Sequence, residues 1–361
     1  MDEARADFEK ARVDIIYEAI EYFEERSLAS RFVDVIRARL IKALDRTSMF
    51  SGLTLLSTAR TTSPTPLTAQ QTDELSLLDW ICELFHAAHT MCDEDNNIDN
   101  LNSTSQPETS PGTAAPNNTP ATAGIRVFCS LIPALIKRRF ATHPRYTAIL
   151  ELFLQAEMNM SLGQVADMQT AAHDVGTAGI DPHSWEVYEF MVEQTTTFPA
   201  FYLPIVLALE YLQVATEQIK KQVKHILQPI GIYVQIRNEV RGAGLLGDVQ
   251  SDRERIGTRT SVGNSNARNA IAGNKCNWLI MHALDRADKD QKVCLLETYG
   301  RKDAGAIDAV IGVYKELDLE RVFRDYEGKA HRQIQSVIDG LDEGLGLRKE
   351  LFRALFDGVK R

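Results

Sequence analysis

Cysteine is scarce in this chain: only Cys82, Cys92, Cys129, Cys276 and Cys294 occur, and no two form a Cys-x-x-Cys pair. A scattered, odd set excludes a disulfide framework and a cysteine-built zinc site, and it predicts reduced thiols packed in a core. Long apolar runs are missing too. No stretch of about 18 apolar residues exists to cross a bilayer, so no membrane span is expected. Positive charge is in deficit: 40 Lys plus Arg stand against 50 Asp plus Glu, for a net charge of -10. That balance argues against nucleic acid or an anionic membrane surface as partner. The opening residues MDEARADFEK are acidic, unlike a secretory leader, so a cytoplasmic protein is expected. Strand-like alternation is short and isolated, with no βαβ rhythm.

What is present is helix. Val13, Ile16, Tyr17, Ile20 and Phe23 form one stripe, and Val33, Ile36, Leu40, Ala43 and Leu44 form the next. Leu77, Trp80, Ile81, Leu84, Phe85 and Ala88 repeat the spacing, which places apolar groups on one face of a 3.6-residue helix. Residues 201–212 are apolar nearly all round, the pattern of a helix buried at the centre of a bundle. The expectation is an all-α protein of one domain over residues 1–361. Residues 100–124, rich in Ser, Thr, Pro and Asn, have almost nothing to bury and read as a mobile surface loop. Residues 242–273 mix Gly, Ser, Asn and Arg and read as a soft insertion, a loop with a poor helix.

Several ordered blocks carry a resemblance. Residues 77–93 read LLDWICELFHAAHTMCD, residues 143–168 HPRYTAILELFLQAEMNMSLGQVADM, and residues 201–212 FYLPIVLALEYL. GNKCNWLIMHAL follows at 273–284 and VYKELDLERVF at 313–323. In this order the chain resembles the farnesyl diphosphate synthases of the trans-isoprenyl diphosphate synthase (polyprenyl synthetase) family. The resemblance implies an antiparallel α-bundle around a central cavity, usually paired as a homodimer. It also implies prenyl transfer in isoprenoid and terpenoid biosynthesis. There an allylic diphosphate ionises with Mg²⁺ on two aspartate-rich motifs, and isopentenyl diphosphate attacks the cation. Mg²⁺ takes hard oxygen ligands and neutralises the leaving diphosphate.

Carried over position by position, the resemblance implies metal ligands at Asp93, Glu94 and Asn97 in the first motif and at Asn238 and Glu239 in the second, with Asp167 assisting. The first motif keeps one aspartate of the family's three, since Glu94 and Asn97 replace the others. Asp95 and Asp99 form a second pair, rotated about 200° from the first on an ideal helix, and could substitute only if that helix bulged or ended early. In the second motif Arg237 and Arg241 flank Glu239 and oppose a cation there. Substrate contacts are implied at Gln164, Thr196, Gln235, Arg255 and Lys275. The family's Gly-Gly-Lys-x-x-Arg grip on isopentenyl diphosphate falls on Arg46, Thr47, Ser48 and Ser51, its Arg-Arg pair on Ser103 and Thr104, and its Lys-Thr on Thr195 and Thr196. The cations that hold the five-carbon donor are therefore replaced.

His86, His89 and Asp93 lie at i, i+3 and i+7, on one helix face. His86 and His89 are the candidate catalytic residues, able to quench a carbocation or bind a polar substrate. With Asp93 they could also take Zn²⁺, or they are satisfied core histidines. Ala88 is small where the family is aromatic, which would deepen the substrate cavity. Three functions stay open. The chain transfers or cyclises the prenyl group of a prenyl diphosphate or prenylated small molecule without an isopentenyl diphosphate site. Alternatively it is an inactive paralogue that regulates a related synthase in a heterodimer, or it runs the ordinary condensation through substitute residues.

Overall fold

The computed structural model describes residues 2–26, 28–45, 50–102, 120–171, 183–246 and 264–360. The segments 103–119 and 247–263, which make up most of the expected loop and much of the expected insertion, lie outside the described residues. Among those described the fold is all-α, with no strand. They group into two compact units.

The first unit spans residues 1–155 and 203–216. Its helices are α1 (Asp2–Glu24), α2 (Ser30–Asp45), α3 (Phe50–Thr62), α4 (Ala69–Asn102), α5 (Pro120–Phe140), the start of α6 (Tyr146–Ala171), and α8 (Leu203–Tyr211). Helix α4 is its axis, packed against α1, α2, α3, α5 and α8. The expected apolar face of α4 is buried at Leu77, Leu78, Trp80, Ile81, Leu84, Phe85 and Ala88. Every residue of α8 is buried, as its all-round apolar sequence requires. Two helix boundaries fall inside the segment read as a loop: α4 continues to Asn102 and α5 begins at Pro120. A proline suits a first helical position, because its missing N–H has no intrahelical acceptor there. The basic run Lys137-Arg138-Arg139 does end α5, but Arg139 also donates to Glu18 on α1 at 2.6 Å, and Arg138 pairs with Glu21.

The second unit takes residues 156–202, 217–246 and 264–361 among its members. It holds the rest of α6, α7 (Trp185–Val192), a π-helical stretch (Glu193–Tyr202), α9 (Glu217–Gly242) and α10 (Asn264–Ala272). Then come α11 (Trp278–Arg286), α12 (Lys289–Thr298), α13 (Ala304–Glu316), α14 (Leu319–Asp339) and α15 (Lys349–Lys360). Helix α10 lies inside the segment read as a soft insertion. Asn277, Asp288, Asp303 and Asp318 cap α11 to α14, each side chain accepting the N–H three residues on. Around α9 cluster Tyr188, Ile236, Val240, Trp278, Leu279, Tyr314 and Phe323. The π-helical stretch contains Pro199, whose lack of an N–H removes one α-type donor. Wider i→i+5 turns of this kind often sit at functional sites.

Candidate functional site

Each unit carries its own part of the expected constellation. In the first, His86, Ala88 and His89 lie on α4. His89 and Ala88 are buried and His86 is half-buried. The ring of His89 packs on Phe85 with centroids 4.6 Å apart, and Phe85 meets Phe153 edge-on at 6.4 Å. A ligating atom of His89 lies within 4.8 Å of the Cys129 thiol of α5. Sequence spacing missed that neighbour, because a separation of 40 positions leaves no periodic trace. The side chains of Asp93, Glu94 and Asn97 lie outside the described residues, but the α4 backbone runs as unbroken α-helix through them to Asn102. The condition under which Asp95 and Asp99 could replace the first pair is thus not met: their positions stay on a different face.

In the second unit the structure brings Thr196, Gln235 and Glu239 together. Gln235 and Glu239 are one turn apart on α9, and the Gln235 amide donates to Glu239 Oε1 at 2.9 Å. Thr196 donates its hydroxyl to Gln235 Oε1 at 2.9 Å. The Tyr188 hydroxyl donates to Glu239 Oε1 at 3.1 Å, and the Trp278 backbone N–H donates to Oε2 at 2.9 Å. Burial pushes the Glu239 carboxyl up to about 7, and the three donors only partly oppose it. Burial first, then the Glu239 charge, lifts the Tyr188 hydroxyl well above its ordinary value.

The π-helical stretch is received by two glycines. A Cβ on Gly163 of α6 would stand 2.3 Å from Thr195 Cγ2, and one on Gly231 of α9 would stand 2.0 Å from Thr197 Oγ1. Only glycine allows so close an approach. Thr195 spends its hydroxyl on its own helix, donating to the Met191 carbonyl at 2.8 Å.

Gln164 and Asp167 lie three apart on α6, so they share a helix face. Lys275 Nζ meets Asp167 Oδ2 at 2.7 Å. The backbone carrying Lys275 is tied at nearly every residue. Asn274, in a left-handed conformation with φ 51°, donates to the Thr170 and Ala171 carbonyls at 3.4 Å each. These are among the last carbonyls of α6, which have no intrahelical donor. The Lys275 N–H donates to Ala270 at 2.9 Å, and its carbonyl accepts from the Tyr299 hydroxyl at 2.7 Å. Asn277 caps α11 and donates to the Tyr299 hydroxyl at 3.1 Å.

Divalent metal does not fit the second acidic segment. Both oxygens of its single carboxylate, Glu239, already accept hydrogen bonds from three donors, and Arg237 and Arg241 flank it. Arg237 is engaged elsewhere, donating to the Val359 carbonyl near the end of α15. Asp167 faces an ammonium group. Arg255 lies outside the described residues.

Comparison with known proteins agrees with this architecture. The family model described as Polyprenyl synthetase matches residues 121–317. A farnesyl pyrophosphate synthase of Penicillium aethiopicum is 34% identical over 230 residues, 64% of this chain and 61% of that protein. The farnesyl pyrophosphate synthase of Candida albicans is 32% identical over 62% of this chain and 60% of its own length. That of Kluyveromyces lactis is 28% identical over 95% of this chain and 90% of its own. The matches above 30% identity thus span about three-fifths of those relatives.

Proposed function

This chain belongs to the polyprenyl synthetase family, and from that premise we propose that it is a farnesyl-diphosphate-synthase-like prenyltransferase with an altered second-substrate site. Its substrate is an allylic prenyl diphosphate, whose carbon–oxygen bond ionises and whose cation is captured by cyclisation or by an acceptor other than isopentenyl diphosphate. The observation that carries this reading is the replacement of the lysine and arginine that would grip the five-carbon donor by Ser48 and Ser51. Losing a hydrogen-bonded charge partner costs roughly 2–5 kcal/mol of binding, so a donor carrying nearly three negative charges is poorly held without them.

Within this reading Lys275 faces the diphosphate and exchanges its Asp167 partner for a phosphate oxygen. Thr196 and Gln235, hydrogen-bonded to each other, would offer further polar contacts to the substrate. In the same reading His86 and His89 would take up a proton from the cation or hold its capturing group. Members of the family generally use Mg²⁺, and in this reading Asp93, Glu94 and Asn97 would hold it. Retained Gln164, Gln235 and Lys275 favour a second reading, ordinary condensation through substitute residues.

Diphosphate release from geranyl or farnesyl diphosphate, with and without isopentenyl diphosphate, separates the two. Release without the five-carbon donor is expected, and a strict requirement for it establishes ordinary elongation instead. Absence of release, together with stable association with an authentic synthase, establishes the regulatory paralogue.

The proposed pairing with a second copy is supported by an exposed apolar stripe on α6: Met158, Leu162, Val165 and Met168, each 45–70% accessible. Met158→Asp combined with Val165→Asp is expected to convert a dimer to a monomer in light scattering. An unchanged mass would place the contact elsewhere. No described helix is long and apolar enough to cross a membrane.

A further inference from the structure

Glu239 is the one carboxylate of the second acidic segment, and one of its hydrogen bonds leads to the segment that carries Lys275. Its Oε2 holds the Trp278 N–H at 2.9 Å, the first residue of α11. Gln235 and Tyr188 hold its other oxygen at 2.9 and 3.1 Å, so the carboxylate is oriented from α9 and from α7 at once. On the opposite side of the same short segment Asn274 is fastened to the end of α6. Tyr299 and Asn277 fix the backbone between them. Residues 274–278 therefore form a bracket between two clamps, with the Lys275 side chain emerging at 2.7 Å from Asp167.

We infer that Glu239 is a positioning residue, not a metal ligand: through the Trp278 N–H it fixes the 274–278 bracket and so sets the ammonium group of Lys275 where a diphosphate binds. The inference rests on the reading of Lys275 as a diphosphate contact. A metal site wants a carboxylate with its lone pairs turned to the ion, whereas three of the about four acceptor positions of this one are taken by fixed donors. Removing such a hydrogen-bonded acceptor leaves the donors to rearrange, and a shift of about 1 Å in a positioned group is enough to lose much of its effect.

The test measures inorganic pyrophosphate affinity by calorimetry in EDTA, and Mn²⁺ affinity by electron paramagnetic resonance without pyrophosphate, on the full chain. Lys275→Ala and Glu239→Ala are each expected to weaken pyrophosphate about tenfold or more. The double variant is expected to be no weaker than Lys275→Ala, because both changes remove one contact. Glu239→Gln keeps an oxygen for the Trp278 N–H, so it should restore pyrophosphate binding and leave Mn²⁺ affinity unchanged.

Parental pyrophosphate affinity in Glu239→Ala, with Lys275→Ala weakened, overturns the positioning role alone. Parental affinity in Lys275→Ala overturns the reading of Lys275, and the positioning role with it. A tenfold loss of Mn²⁺ affinity in Glu239→Gln makes the residue a ligand and overturns the inference. Should Glu239→Ala fail to fold, Glu239→Gln decides. Parental affinity for both probes supports the inference, and a tenfold loss of either overturns it.

Discussion

Replacing Arg145 with alanine is expected to cost about 3–5 kcal/mol of unfolding free energy at neutral pH, the range for breaking a buried ion pair by deleting one partner. The reason is the environment of its acid. Glu210 sits on α8, a helix with no exposed face, and its side chain has no solvent exposure. Arg145 reaches it from the turn before α6, with Nε 2.7 Å from Oε2 and a second guanidinium nitrogen on the same oxygen. The arginine itself is 39% exposed, so water stabilises the cation and the acid bears the desolvation. Beside it His143 stacks on Tyr211 with centroids 4.8 Å apart. Tyr211 in turn donates to Glu74 at 2.5 Å, so this corner is a polar cluster set in an apolar wall.

The matching expectation is that Arg145→Ala with Glu210→Leu recovers most of the loss, since a buried pair replaced by apolar groups is often neutral or better. Urea denaturation of the single and double variants measures both. A single variant within 1 kcal/mol of the parent, an ordinary surface-pair effect, would show that the pair is not desolvated.

Asp79→Asn is expected to make the protein more stable, by an amount that grows with pH. Asp79 is fully buried on α4. Burial raises its carboxyl well above the ordinary value, the charge of Glu83 one turn on raises it further, and the Leu56 N–H opposes them only weakly. Below about pH 4 the acid is protonated both folded and unfolded, and there is no penalty. Above that the unfolded chain releases the proton while the folded chain keeps it. Stability then falls by about 1.4 kcal/mol per pH unit until the raised folded value is reached. Asparagine has nearly the same volume and removes the titration. Urea midpoints from pH 4.5 upward should therefore slope less in the variant, with the two proteins converging at the acid end. Parallel slopes would mean that Asp79 is already ionised in the fold.

The helical frame was legible because burial of a helix face leaves a periodic mark. The α4 stripe and the nearly all-apolar α8 were readable residue by residue, and both are buried as the spacing demands. Asp79 sits inside that stripe, next to Leu78 and Trp80, and an acid there was a readable oddity. The family resemblance was carried by blocks of such residues, which the match over 121–317 bears out.

The site was less legible, because its contacts join residues far apart in sequence. Glu239 takes Tyr188 from 51 positions before it and Trp278 from 39 after it. No spacing rule announces either. Arg237 read as a flanking charge, and its use on the Val359 carbonyl depends on α15. Nor does EQTTTFPAFY differ in periodicity from an α-helix. Its wider turns arise from close packing against α6 and α9.

Those two close approaches differ in what descent can do with them. At Gly163 the obstruction is the methyl of Thr195, with the nearest remaining atoms at 3.2 and 3.7 Å. A serine at 195 opens the way for an alanine at 163, so these positions can exchange bulk only in that order. At Gly231 the obstruction includes Thr197 Cβ at 2.8 Å and its Cα at 3.0 Å. Only a glycine at 197 would remove the Cβ, and its Cα would still stand 3.0 Å away, so bulk at 231 asks for a larger change than bulk at 163.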